Sequence, residues 1–133
     1  MAISTFSERC WLSSDGLSLY ARDYPPVGKV AGLPVICLHG LTRNSADFEE
    51  VAPLIASWGR RVVVPDVRGR GRSAWDPNPK NYQPRTYARD VIEMMAALGM
   101  SRAIFIGTSM GGIITMTLMS LRPTAIAAAS ASA

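Results

Sequence analysis

Along the chain, short runs of apolar and β-branched residues alternate with stretches in which apolar side chains recur every three or four positions. "SERCWLSS" and "SLYARDYP" flank Asp15-Gly16, a dipeptide that closes tight turns, and together predict a β-hairpin. "LPVICLHG" is a continuous apolar run, as in a strand buried on both faces. After it Ser45 is placed to cap a helix whose shared face is Phe48, Val51, Ile55 and Trp58, with Gly59 as its stop. "RVVVPDV" predicts another buried strand. The proline-rich "WDPNPKNYQP" predicts a loop, after which Thr86 caps a helix striped by Tyr87, Val91, Met94 or Met95, and Leu98, closed by Gly99. "AIFIG" reads as a strand, and "GGIITMTLMSLR" as a helix stopped by Pro123.

Strands alternating with helices imply right-handed βαβ units, so the expected class is α/β with a doubly wound, mostly parallel sheet. No repeat or linker divides residues 1–124, which predict one domain. The Ala/Ser-rich tail 125–133, "AIAAASASA", has a composition that packs no core by itself and is ordinarily disordered, with a sixth strand as the alternative. Residues 103–121 carry no charge, and Gly107 and Gly111 match a spacing used by packed membrane helices. Eight of those 19 residues are Gly, Ser or Thr, which dilutes the hydropathy, and the surrounding alternation makes the segment a strand, a turn and a buried helix. No membrane partner is expected.

Composition changes this picture little. With 48% hydrophobic and 18% charged residues the chain is globular, and 133 residues suffice for one core. The net charge of +4 raises nucleic acid as a partner. Arg60 and Arg61 precede the strand "VVVPDV", however, whereas Arg68, Arg70 and Arg72 follow it, so they form no single stripe and are expected to be solvated loop residues. Cys10 and Cys37 have neither metal-site nor disulfide-framework spacing, which fits a reduced, cytoplasmic setting, and "MAISTFSERCW" lacks the apolar stretch of a signal peptide.

Two glycine motifs compete for the chemistry. Gly69 to Ala74 matches G-x-G-x-x-G/A, but a dinucleotide site needs a helix to begin at once, and Trp75, Asp76, Pro77, Asn78 and Pro79 follow instead. No cofactor is expected. Gly107-Thr108-Ser109-Met110-Gly111 fits G-x-S-x-G between a predicted strand and a predicted helix, where a strained turn projects a hydroxyl and small neighbours let the two elements approach.

"HGLTRNSADF" at 39–48, "PDVRGRGRS" at 65–73 and "GTSMGG" at 107–112, in this order, resemble the α/β-hydrolase family, and the resemblance runs to about Ala127. It implies that Ser109 is the nucleophile, that the backbone N–H groups of Leu41 and Met110 form the oxyanion hole, that His39 and Gly40 shape the adjoining loop, and that Gly107 and Gly111 set the elbow geometry, with no metal. It implies a small-molecule carboxylic ester or related acyl substrate; esterase, lactonase and carbon–carbon hydrolase chemistries all remain open. Serine at the elbow stands against epoxide hydrolases and haloalkane dehalogenases, which carry aspartate there. The family places its acid and its histidine after the nucleophile, yet no Asp, Glu or His follows Ser109. The chain is therefore expected to be a truncated fold of about six strands, ordered 1-2-4-3-5-6, without the last strands and cap. Alone it should be a very poor esterase, or an inactive fragment that self-associates, as a homo-oligomer joined through residues 111–133.

Overall fold

The computed structural model describes residues 5–132. Met1–Ser4, part of the segment tested for a signal peptide, and Ala133 of the tail lie outside the described residues. Strands β1 (Ser7–Leu12), β2 (Ser18–Tyr24), β3 (Val35–Leu38), β4 (Val62–Asp66), β5 (Ala103–Thr108) and β6 (Ile126–Ser132) form one sheet in the order β1-β2-β4-β3-β5-β6. Strands β3 to β6 run parallel, and β2 joins them antiparallel through β4, with β1 on its outer side. Helix α1 (Val51–Ser57) lies on one face, and α2 (Pro84–Ala97) and α3 (Met110–Leu121) on the other.

Side-chain alternation divides the core. Val35, Cys37, Val62 and Val64 turn toward Phe48, Ala52 and Ile55, whereas Ile36, Leu38, Val63 and Phe105 turn toward Tyr87, Val91, Met94, Ile114 and Leu118. Both faces of the central strands are buried, which is why "VICL" and "VVV" read as unbroken apolar runs.

Several boundaries differ from those the sequence predicts. Ser45 does not cap an α-helix: Asn44 caps a 3₁₀ turn, Ser45–Phe48, by accepting the Ala46 N–H at 2.9 Å. Three residues per turn there break the 3.6-residue phase, so Val51 is exposed and Trp58, past the last turn of α1, is 63% exposed. Helix α2 starts two residues before Thr86, at Pro84, whose fixed φ and missing N–H suit the first helical position. Thr86 is buried in the first turn, and Met94 and Met95 both pack inward. Of the tail, β6 pairs with β5 from Ile126 to Ser132, so Ser130, Ala131 and Ser132 continue the strand where their composition gave no sign of one.

Nor are all the arginines solvated. Arg61 pairs with Asp23 at 2.9 Å, and Arg68 is 0% exposed. Its five N–H groups are all used: Nε and Nη2 grip Asp90 of α2 at 2.8 and 2.7 Å, Nη1 reaches Asp76 at 2.7 Å and Asp15 at 2.8 Å, and Nη2 also reaches Asp15 at 3.1 Å. One cation thus ties the β1–β2 turn, the loop after β4 and α2 into one body. Hydrogen bonds from Arg68, then from Ser13, hold the Asp15 carboxyl well below the usual range. Among the described residues no helix is long and apolar enough to cross a membrane, and the uncharged segment divides into β5, a turn and α3.

Candidate active site

Ser109 is the single residue between β5 and α3. Its φ of 54° is the one positive value at a non-glycine among the described residues, a conformation that costs about 1–3 kcal/mol. The surroundings enforce it. A Cβ on Gly107 would lie 2.7 Å from the Gly112 nitrogen, and one on Gly111 would lie 2.6 Å from the Leu38 carbonyl carbon, so α3 sits directly against β5 and β3. The Ser109 N–H donates to the Ser132 carbonyl of β6 at 2.6 Å, and its own carbonyl accepts from Gly112 at 2.9 Å and Ile113 at 3.2 Å. The residue is exposed, at the carboxyl edge of the sheet.

The loop after β3 adjoins it. A Cβ on Gly40 would lie 3.7 Å from both the Ser109 Cβ and the Thr108 carbonyl oxygen, so the unsubstituted side of Gly40 faces the elbow. Leu41 follows, exposed, and Met110 opens α3 with its side chain buried. His39 is fully buried. Its Nε2 accepts from the Val67 N–H at 3.0 Å, which fixes the proton on Nδ1, and Nδ1–H donates to the Gly40 carbonyl at 2.7 Å. Burial lowers its pKa, so the ring is neutral with neither nitrogen free.

"PDVRGRGRS" proves to be scaffolding for this edge of the sheet. Asp66 accepts the Ser45 N–H on Oδ1 at 2.6 Å and the Arg72 N–H on Oδ2 at 2.9 Å, joining the loops after β3 and β4. Gly71, at φ 54°, passes so close that a Cβ would lie 2.7 Å from Asp66 Oδ1. The Ser73 hydroxyl donates to the Asp66 carbonyl at 2.6 Å and accepts the Tyr20 N–H at 3.0 Å. Arg70 Nε donates to the Leu41 carbonyl at 3.0 Å, restraining the residue beside Gly40. Sequence reasoning found the elbow and the histidine loop and missed Asp66, Arg68 and Arg70 as their supports. The regular glycines between the arginines were the available signal, since they mark backbone passing close to other groups.

An exposed serine on a left-handed elbow, at the carboxyl edge of a parallel sheet, defines a class of protein. The chain belongs to the alpha/beta hydrolase fold family, whose model matches residues 34–132. It is 42% identical over 87 residues to the 3-hydroxybutyrate-oligomer hydrolase of Cupriavidus necator, which covers 65% of this chain and 29% of that protein. It is 36% identical over 100 residues to a non-heme chloroperoxidase of Streptomyces lividans, over 75% of this chain and 34% of that one. The crystal structure of an alpha/beta hydrolase from Novosphingobium aromaticivorans superposes with a TM-score of 0.86 at 42% identity, covering 98% of this chain and 45% of its own. The chain thus spans about a third of the length of these curated relatives.

Proposed function

We propose that this chain supplies the nucleophile and oxyanion hole of a serine hydrolase acting on a carboxylic ester or related acyl compound. One observation carries the reading: the exposed Ser109 hydroxyl stands on a strained residue between β5 and α3, with the Gly40 loop beside it. In the proposed reaction Oγ attacks the carbonyl carbon. The amides of Leu41 and Met110 receive the negative charge on the former carbonyl oxygen, helped by the positive end of α3. Collapse breaks the bond to the leaving alcohol and leaves an acyl-Ser109, which water then hydrolyses.

The proton on Oγ needs an acceptor. Both nitrogens of His39 are committed to the backbone, and no Asp, Glu or His follows Ser109. In this reading the base is a residue other than His39. Without one, serine is a weak nucleophile: losing the triad histidine costs roughly 10⁶ in kcat, with roughly 10³–10⁴ over water retained by oxyanion stabilisation and binding. Relatives named as epoxide hydrolases share 30% identity with this chain, but position 109 is serine here, which favours acyl chemistry. A reduced, cytoplasmic setting belongs to the same reading and is supported by the two free thiols, Cys10 and Cys37.

Mass spectrometry of the chain incubated with excess 4-nitrophenyl butyrate tests the proposal. Slow, stoichiometric butyrylation of Ser109 with release of 4-nitrophenolate is expected, absent in Ser109→Ala. No adduct on Ser109 would remove it as nucleophile, and rapid turnover abolished by both Ser109→Ala and His39→Ala would make His39 the base.

The sheet edge favours a second reading, in which the chain is catalytically silent and pairs with another copy of itself. Strand β6 has β5 on one side and no strand on the other among the described residues, and it carries neither charge nor proline to protect that edge. Ile113, Met116 and Met119 on α3 are also exposed. A two-fold contact through residues 111–133 would cover both features. Light scattering at micromolar concentration decides: a dimer supports it, and a stable monomer removes it.

A further inference from the structure

Arg70 is a cation without a counter-ion among the described residues, bonded to the loop that adjoins the elbow. Nε is spent on the Leu41 carbonyl, and Nη1 on the Arg68 carbonyl at 3.1 Å and the Tyr87 hydroxyl at 3.2 Å. The guanidinium lies 5.3 Å from the Tyr87 ring centre and 5.9 Å from that of Tyr82, which holds its plane in place. Its neighbours Arg68 and Arg72 both meet carboxylates, whereas Arg70 meets none among the described residues. The two N–H groups of Nη2 have no partner there either.

Arg70 also lines a cavity of about 520 Å³ whose other walls include Trp75, Pro77, Pro79 and Tyr82. The Tyr82 wall is fixed beforehand. The Tyr82 hydroxyl donates to the Asp76 carbonyl and accepts the Asp76 N–H, both at 2.8 Å, and Gly69 packs under its ring. Asp76 lines the cavity too, but its oxygens are taken by Arg68, by the Asn78 N–H at 2.9 Å and by the Asn81 amide at 2.7 Å. The cavity therefore offers apolar walls, one fixed cation with a free donor edge, and no carboxylate free to neutralise it.

The geometry points to a carboxylate-binding subsite: Arg70 Nη2 receives a free carboxylate on the ester substrate, whose chain extends from Ser109 past Leu41 into this cavity. This rests on the hydrolase reading for the ester but not for the anion. The substrate class it defines is the half-ester or hydroxy-acid oligoester, with an apolar spacer between the reacting carbonyl and a terminal carboxylate. A fixed guanidinium loses little freedom on binding, and its hydrogen bond to an ionised acceptor is charge-assisted.

Monomethyl succinate and dimethyl succinate, titrated into the ¹⁵N-labelled full chain and followed by NMR at the Trp75 indole and Arg70 Nε signals, test it. The monoester is expected to bind about tenfold more tightly than the diester, with shifts centred on Arg70, Trp75 and Tyr82. Arg70→Gln should bring the two affinities together, and Arg70→Lys should keep part of the preference. In the unaltered protein the preference should shrink as salt is raised, a readout that does not depend on any variant folding. Equal affinities, no binding of either ester, or shifts centred elsewhere would overturn the subsite. Ser109→Ala should leave the preference intact. A preference without acylation of Ser109 would remove the hydrolase reading alone, and acylation without a preference would remove this one alone.

Discussion

Replacing Arg68 by Met keeps most of the side-chain volume and removes the charge. Asp90 and Asp76 are then left with side chains less than a tenth exposed, beside Asp15, and with none of the five N–H groups that Arg68 supplied. Breaking a buried ion pair from one side costs about 3–5 kcal/mol, because the surviving charge stays desolvated. That is a large part of the roughly 5–15 kcal/mol that stabilises an ordinary domain. The loss should depend on pH in a definite sense. In the wild type Asp15 and Asp76 are held below the ordinary value of 3.8, so their contribution is complete above it and fades as pH falls below it. Without the guanidinium the same acids are left in a buried, mutually repelling cluster and take up protons at higher pH, which relieves the variant as the solution is acidified. Urea denaturation at pH 7 and pH 4.5 is the assay. A gap of about 3–5 kcal/mol at pH 7 that narrows at pH 4.5 is expected. A gap below about 1 kcal/mol, or one that does not shrink on acidification, would refute the picture of Arg68 as the shared counter-ion.

Other outcomes follow from the same geometry. Gly111→Ala should destabilise despite its better helix propensity of about 1 kcal/mol, because the new methyl meets the Leu38 carbonyl group; thermal melting compared with Gly99→Ser, which has open space around it, separates steric from conformational effects. Asp15, Asp47 and Asp76, all held below 3.8, favour the folded state only when ionised, so urea midpoints should fall as pH drops below 3.8, less steeply than those three alone would give because burial raises Asp90 and its protonation acts in the opposite sense. Burial pushes the Cys37 thiol up to about 12, so a thiol reagent at neutral pH should modify exposed Cys10 quickly and Cys37 only on unfolding; equal rates in the native protein would contradict this.

The elbow was legible because its constraint is local. A strained serine needs room at fixed offsets on either side, and Gly107 and Gly111 state that need within five residues. The strands β3, β4 and β5 were legible for the same reason, being apolar on both faces. Arg68 was not, since its partners lie 8, 22 and 53 positions away and nothing in "DVRGRGRS" names them. Trp58 was misplaced because a 3₁₀ turn shifted the helical phase before it. Pro84 marks the true start of α2, and its preference for the first helical position outweighs the capping capacity of Thr86. The tail was legible only through the resemblance, which implied a sixth strand there; its composition pointed to disorder, because β6 is held by backbone pairing to β5, which leaves little trace in small side chains.

That pairing reaches the elbow itself. The Ser109 N–H is bonded to the Ser132 carbonyl, at the far end of the strand that is outermost among the described residues. Edge strands fray first, so the free energy that fastens the last residues of β6 also limits how long the serine keeps its left-handed pose. During synthesis the elbow lacks this bond until residue 132 has left the ribosome. Later, any molecule that clamps the outer side of β6 would slow exchange of the Ser109 amide proton without touching the serine. The tempo of that strand is thereby written into the pose of Ser109.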